Sequence, residues 1–484
     1  MTIVHKAFKG ASWLALFRAI SQTFSWAATI IVARILVPED YGLMEMATIL
    51  TGYVIIFSEL GLGAAIIQWE DINDKELSSL FWFVVFLGFL LAILSIILAY
   101  PTVAIFNEKR ILRVTQSVSL LFIIGSFLIV PINILKREIR FKALGFIETA
   151  AVIISSTVMI IIAKLGGGVW TLIGGHIIRE FIKALIVFYI LPWRPRFHFQ
   201  FIEIKHFIKY GVNIAAANSL YYIYTKSDRF FAGRMLGSKV LGYYSLALQL
   251  SDIPTEKLVS LINSVSFPVF SRYQKDPVEF NNFFLKLISF IGFITFPIYI
   301  GGIFIADQLI PLVLGSKWAP IILPFKLLCI SQLIISITTA CVVATNALGN
   351  AHWNLYLNII NVIVLPFSFF IAAKYGLNYM VIPWLTVSPL IRLGYVTITL
   401  RKLGISISDY FRALMHPLIG TFVMVLVLIL VKYLYFHNLV QPIDSKYYLF
   451  LIMMTGAISY AGYVMTFRRD FVTALVRLWK AKNV

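Results

Sequence analysis

Three ionisable residues in four, Lys226-Ser227-Asp228-Arg229, lie inside an otherwise apolar stretch from Tyr210 to Arg234. Lys226 and Arg229 stand at i, i+3 and share a helix face. A guanidinium in such a cluster suits phosphate, because it offers donors in a fixed fork. Tyr222 extends that face by one turn. Asp228 points about 100° from Arg229 and about 200° from Lys226, so it should seek a partner on another helix. Arg18, near the start of the first apolar span, is the candidate. A charge at a bilayer centre costs roughly 2.5–3.5 kcal/mol, so three facing lipid would cost on the order of 8–10. The group therefore faces other helices or a cavity. It is either a buried structural salt-bridge set or the lining of a water-filled path that an anionic solute enters.

Other charges fall inside apolar spans: Arg18 in the first, Glu45 and Glu59 in the second, Arg179, Glu180 and Lys183 in the sixth, and Arg392 in the twelfth. Arg18, Tyr222, Lys226, Arg229 and Arg392 are the expected anion-binding residues. Asp228, Glu45 and Glu59 are expected to organise charge or carry a coupling ion, although Glu59, before Gly61-Leu62-Gly63, also reads as a local cap. Arg179, Glu180 and Lys183 are expected to snorkel from a helix end. Arg34 and Arg234, beside turns, read as structural and interfacial. Asp252, Glu256 and Lys257 have no assigned role. No phosphate-loop spacing, GxSxG elbow or paired-histidine metal motif occurs. The chain is not expected to be an enzyme or to hold a metal or cofactor.

The elements that must position these residues are membrane helices. Of 484 residues 60% are hydrophobic and 13% charged, with mean hydropathy +0.89; a soluble chain carries about a quarter charged. Fourteen apolar spans are expected, at about 11–37, 42–68, 78–106, 112–134, 144–165, 168–191, 208–234, 240–270, 284–306, 322–347, 354–373, 379–400, 412–435 and 446–467. The net charge of +19 is a topology signal here and does not point to nucleic acid. Lys and Arg favour one side of the spans about two to one, through Lys136, Arg137, Arg140 and Lys142, Arg194 and Arg196, and the tail Arg468, Arg469, Arg477, Lys480 and Lys482. By the positive-inside rule both termini are cytoplasmic. The N-terminus lacks a small-residue cleavage site and reads as retained. Cys329 and Cys341 are twelve helical residues, about 18 Å, apart and cannot form a disulfide.

The polar connection from Pro192 to Lys209 divides the chain into halves. The expected organisation is a six-helix lobe at 1–191, a cytoplasmic linker at 192–207, a second six-helix lobe at 208–403, and two further helices with a basic tail at 404–484. An internal repeat supports the halves. Residues 33–50 align without gaps on residues 233–250, matching Arg34 with Arg234, Leu36 with Leu236, Gly42 with Gly242, Ala47 with Ala247 and Leu50 with Leu250. Parallel repeats of this kind are a transporter architecture with the substrate site between halves. Pro254, Pro268, Pro297, Pro366, Pro383 and Pro389 would kink helices that such a transporter moves.

The hairpin Ala33-Arg34-Ile-Leu-Val-Pro38-Glu39-Asp40-Tyr41-Gly42 with Glu59-Leu60-Gly61-Leu62-Gly63-Ala64-Ala65-Ile66-Ile67-Gln68, the loop Leu135-Lys136-Arg137-Glu138-Ile139-Arg140-Phe141-Lys142, and Gly168-Val169-Trp170 resemble bacterial polysaccharide flippases. These are the Wzx-like proteins of the MOP superfamily, and the Lys-Arg loop is similar to the exopolysaccharide and colanic-acid branch. The resemblance is strong over the first 200 residues, fair to about 350 and weak beyond. It implies an all-α polytopic protein with two six-helix lobes in a V, two added C-terminal helices, and a cationic cavity. It also implies undecaprenyl-pyrophosphate-linked oligosaccharide as substrate, flipped from cytoplasmic to periplasmic leaflet and driven by a proton or sodium gradient in place of a cofactor. Membrane lipids, a polysaccharide polymerase and a chain-length regulator are the implied partners of a monomer in the inner membrane. A lipid II flippase would share the fourteen spans and cationic cavity. A MATE-type drug exporter would need acidic and aromatic cavity residues. A polymerase or membrane glycosyltransferase would need a long periplasmic loop or an acidic catalytic pair, and the sequence has neither.

Overall fold

The computed structural model describes residues 3–59, 62–63, 66, 69, 72–436 and 445–468. Among them there are fifteen α-helices and no strand. In chain order these are α1 (Ile3–Ile35), α2 (Pro38–Glu59), α3 (Asp74–Phe106), α4 (Ile111–Val118), α5 (Leu120–Arg137), α6 (Phe141–Lys164), α7 (Val169–Ile190), α8 (Phe201–Arg272), α9 (Pro277–Leu314), α10 (Ile322–Ala347), α11 (Ala351–Ala373), α12 (Ile382–Leu385), α13 (Val387–Leu403), α14 (Ile407–Phe436) and α15 (Ser445–Phe467). Eleven segments are long and apolar enough to cross a membrane, each matching an expected span. The other three expected spans are helical too, in α7 and the two sections of α8, and they carry most of the intramembrane charge. The chain is a multi-pass helical membrane protein. Of the expected cytoplasmic tail, Arg469, Arg477, Lys480 and Lys482 lie outside the described residues.

Helix starts follow from local chemistry. Asn73 caps α3 by accepting from the N–H groups of Lys75 and Glu76, and Glu76 reaches back to Asn73 N, a capping box. Asp276 caps α9 the same way, with Pro277 in the first helical turn.

The chain forms two compact units, Met1–Ser245 and Leu246–Val484. In the first, α1 packs along α6, where the Ser21 and Thr149 hydroxyls meet at 2.7 Å and Thr149 donates to the Phe17 carbonyl at 3.0 Å. Its main core joins Leu80, Phe81, Val84, Ile134, Leu135 and Phe207. The connection after α7 is held down on α3: Trp82 Nε1 donates to Arg196 O at 2.8 Å, Phe197 stacks on Trp82, and Ser78 and Ser79 accept from the N–H groups of Arg196 and Gln200. In the second unit, α9 packs against α10 and α14 around Phe270, Phe280, Phe284, Ile288 and Leu414. The two expected additional helices are part of this packing. Gly292 faces Pro417, and Tyr460 on α15 donates to Phe293 O at 3.0 Å. Cys329 and Cys341 are buried and free.

Candidate functional site

The charged stretch lies in α8, and α8 is not one rod. Gly237 has φ 82° and ψ 176°, which breaks the helix there; a residue with a Cβ is strained in that region. Beyond the break the two copies of the repeat meet. A Cβ on Gly42 would overlap the Ser238 carbonyl, and a Cβ on Gly242 would overlap the Pro38 carbonyl. Glu39 and Lys239 add an ion contact at 3.9 Å. Glycine at both positions lets the backbones touch, and this brings α2 alongside the charged section of α8. A third glycine, Gly52, makes room for the Tyr222 hydroxyl, which donates to the carbonyls of Thr48 and Ile49 at 3.1 and 2.9 Å.

Within this frame Lys226 and Arg229 converge on one carboxylate. Lys226 Nζ donates to Glu45 Oε1 at 2.8 Å, and Arg229 Nε lies 3.3 Å from the same oxygen. Arg229 Nη1 also donates to Thr225 O at 3.1 Å. The three side chains are 28%, 16% and 20% exposed for Lys226, Arg229 and Glu45, so water reaches the cluster without surrounding it. Glu45 is seven residues into α2, and Lys226 and Arg229 are eleven and eight residues before Gly237. At 1.5 Å per residue the cluster sits roughly 10–16 Å from the turns, inside the span. Chemically, two cations on one helix hold an oxyanion between them. Phosphate oxygens are ligands of the same kind.

Asp228 corrects an expectation. It is fully buried; its Oδ2 accepts from the Tyr244 hydroxyl at 2.9 Å and its Oδ1 from Arg229 N at 2.6 Å. Its partner lies beyond the break, in the next expected span, so another helical section supplies it as expected, but that section is not α1. Arg18 is exposed and makes no ion pair among the described residues. The repeat does not extend to Arg18, and α1 directs Phe17 and Ser21 to α6.

The structure thus brings together Glu45, Tyr222, Lys226, Asp228 and Arg229. Arg392 lies in the second unit, on α13, with Nε donating to Ser388 Oγ at 3.2 Å one turn back. Arg34 and Arg234 are both exposed at their helix ends. The Glu59 side chain lies outside the described residues. Arg179, Glu180 and Lys183 do not snorkel as expected. Arg179 pairs with Glu148 on α6, and Lys183 bridges Glu148 and Glu180 at 3.1 and 2.9 Å. Sequence reasoning missed Glu148, although a lone carboxylate in an apolar span is itself a signal. It also missed Tyr244.

The comparisons with known proteins agree with one another. A family model described as polysaccharide biosynthesis protein matches residues 31–323. The lipopolysaccharide biosynthesis protein WzxC of Escherichia coli (strain K12) is 27% identical over 344 residues, 70% of this chain and 69% of that one. An uncharacterized membrane protein in the cps region of Klebsiella pneumoniae is 25% identical over 474 residues, 96% of this chain and 95% of that one. Among solved structures, a lipid II flippase, MurJ, in an inward closed conformation, superposes with TM-score 0.72 at 16% identity, covering 95% of this chain and 99% of that one; at that identity the likeness is one of fold.

Proposed function

The chain belongs to the polysaccharide biosynthesis protein family, and from that premise we propose that it is a secondary-active flippase. Its substrate on this reading is an oligosaccharide on undecaprenyl pyrophosphate, moved from the cytoplasmic to the periplasmic leaflet by alternating access. The carrying observation is the convergence of Lys226 and Arg229 on Glu45 Oε1 inside the membrane span. Glu45 occupies the cations that a pyrophosphate needs. Substrate phosphate and Glu45 therefore compete, and protonation or displacement of Glu45 releases the pair. Asp228, sealed by Tyr244, holds the kink and sets the cations in place; Glu45 is the coupling carboxylate. Arg18 and Arg392 are further cations for the anionic headgroup, each within its own unit. A proton or sodium gradient supplies the energy, the membrane is the bacterial inner membrane, and both termini are cytoplasmic. The working unit is a monomer that hands its cargo to a polysaccharide polymerase and chain-length regulator.

A cationic drug would meet two cations at this site, which disfavours drug export. Lipid II carries the same pyrophosphate, so the headgroup chemistry does not separate it from a polysaccharide precursor. Reconstitution into vesicles with each lipid-linked glycan, with and without an imposed gradient, tests the reading. Translocation of the polysaccharide precursor but not lipid II is expected, with loss in Lys226→Ala and Arg229→Ala. Equal translocation by both variants and wild type would sink the site.

A further inference from the structure

Two turns of the chain share one backbone and carry different side chains. In the first unit the turn between α5 and α6 closes through Glu138 N donating to Ile134 O, Ile139 N to Lys136 O and Arg140 N to Leu135 O. In the second unit the turn between α10 and α11 closes through Leu348 N donating to Ala344 O, Gly349 N to Asn346 O and Asn350 N to Thr345 O. Each bond matches its counterpart at a shift of 210 residues. Ile139 and Gly349, at equivalent positions, have φ 57° and 77°. Lys136 and Arg140 of the first turn are replaced by Asn346 and Asn350 in the second. On the topology proposed above both turns face the cytoplasm, where the positive-inside rule favours Lys and Arg. Topology therefore does not account for two amides in place of two cations.

A hydrogen-bond relay holds the amides. Thr345 and Tyr395, 2% and 6% exposed, pair their hydroxyls at 2.6 Å. The Tyr395 hydroxyl, on α13, donates to Asn354 Oδ1 on α11, and Asn354 Nδ2 donates to Asn346 Oδ1 on α10. The relay thus runs from buried hydroxyls out to Asn346, which is exposed. Its direction leaves the two hydrogens of Asn346 Nδ2 facing away from the relay. Each donor in such a chain polarises the next. Asn350, tied by its N–H to Thr345 O, is partly exposed and makes no side-chain capping bond.

A neutral amide held in one orientation suits sugar hydroxyl and N-acetyl groups, which exchange hydrogen bonds without carrying charge. A phosphate is held better by Lys or Arg, which the first turn has. We propose that Asn346 and Asn350 form a subsite for an uncharged sugar residue of the lipid-linked glycan. Asn346 Nδ2 donates to a sugar oxygen, and Tyr395 and Asn354 are positioning residues. The subsite rests on the flippase reading and adds to it the turn that reads the sugar.

The test measures binding to the full-length protein in detergent. The probes are bare undecaprenyl pyrophosphate and the same lipid carrying one glucose, galactose or N-acetylglucosamine. In wild type at least one sugar-bearing lipid should bind about tenfold tighter than the bare lipid. Asn346→Leu should reduce that gain to about twofold or less and leave bare-lipid binding unchanged. Tyr395→Phe, which keeps the ring and removes the relay's donor, should reduce it about threefold, again without affecting the bare lipid. General loss of fold would lower both. Asn346→Lys, which restores the cation of the first turn, should abolish the sugar gain and tighten the bare lipid. Equal binding of bare and sugar-bearing lipids by wild type overturns the subsite alone, as does a sugar gain that survives Asn346→Leu. Binding of none of the four lipids contradicts the flippase reading and the subsite with it.

Discussion

Gly42 and Gly242, 200 residues apart, each pack against the backbone of the other's copy of the repeat: Gly42 on the carbonyl of residue 238, Gly242 on the carbonyl of residue 38. Residues 39 and 239 make the ion contact between them. The two glycine contacts exchange with one another under the 200-residue repeat, and the ion contact joins equivalent positions, so the two segments are related by a local pseudo-two-fold axis. The weak sequence repeat is therefore a physical interface, and its glycines are conserved between the copies because neither tolerates a Cβ. The crossing also holds α2 against α8, and with it Glu45 against Lys226 and Arg229.

Gly42→Val and Gly242→Val should each separate the crossing. Overpacking typically costs about 1–3 kcal/mol, and here the obstacle is main chain, which cannot swing aside. Both variants should fail to complement a flippase-null strain, whereas Gly125→Ala, where nothing lies within 4 Å of an added Cβ, should be tolerated. A Glu39→Cys/Lys239→Cys pair should cross-link in cells, against a low background because Cys329 and Cys341 are buried. Absence of the cross-link in folded protein contradicts the crossing.

The charge cluster should behave as a unit in a double-mutant cycle. Glu45→Gln leaves two cations without their shared acid. The penalty should be about 1–3 kcal/mol, below the 3–5 typical of a fully buried pair because these side chains are partly exposed. Adding Lys226→Met should recover roughly 1 kcal/mol of the summed loss in thermal melts. Binding of a lipid pyrophosphate should tighten in Glu45→Gln, since the competing carboxylate is gone. Unchanged binding would refute the competition.

The spans were legible in the sequence because long apolar runs favour one structure in a bilayer, and among the described residues each expected span contains a helix. The Gly42–Gly242 pairing was legible only as an alignment, since letters carry no contact information. For Asp228 the need for a partner on another helix was legible but the partner was not: Tyr244 stands early in the next expected span, and only the fold at Gly237, with φ 82°, brings its hydroxyl back to the carboxylate. The snorkelling assigned to Arg179 and Lys183 failed for a simpler reason. Glu148 stood in the fifth span in plain view, and a carboxylate there is costly without a cation.

Tyr244→Phe should destabilise the first unit by about 1–3 kcal/mol, the cost of leaving a buried acceptor short of a donor. Asp228 and Tyr244 are both fully buried, so water cannot replace the hydroxyl. Asp228→Asn should cost less, because an amide oxygen still accepts from Arg229 N and no charge is left stranded. A chemical denaturation series in detergent orders the two. If Tyr244→Phe unfolds with wild type, the clasp across the kink contributes nothing.

Glu148 should matter more than either cation it holds. Arg179→Gln leaves Glu148 with Lys183, and Lys183→Gln leaves it with Arg179. Glu148→Gln removes the acid shared by both, leaving Lys183 with Glu180 alone. The Arg179 and Glu148 side chains are 38% and 37% exposed, so solvent screening keeps the expected loss near 1–2 kcal/mol. A Glu148→Gln/Arg179→Gln double variant should melt closer to wild type than Glu148→Gln alone, because it removes the cation that the single variant strands. Arg179→Gln melting below Glu148→Gln would show that Arg179 is held chiefly by groups other than Glu148.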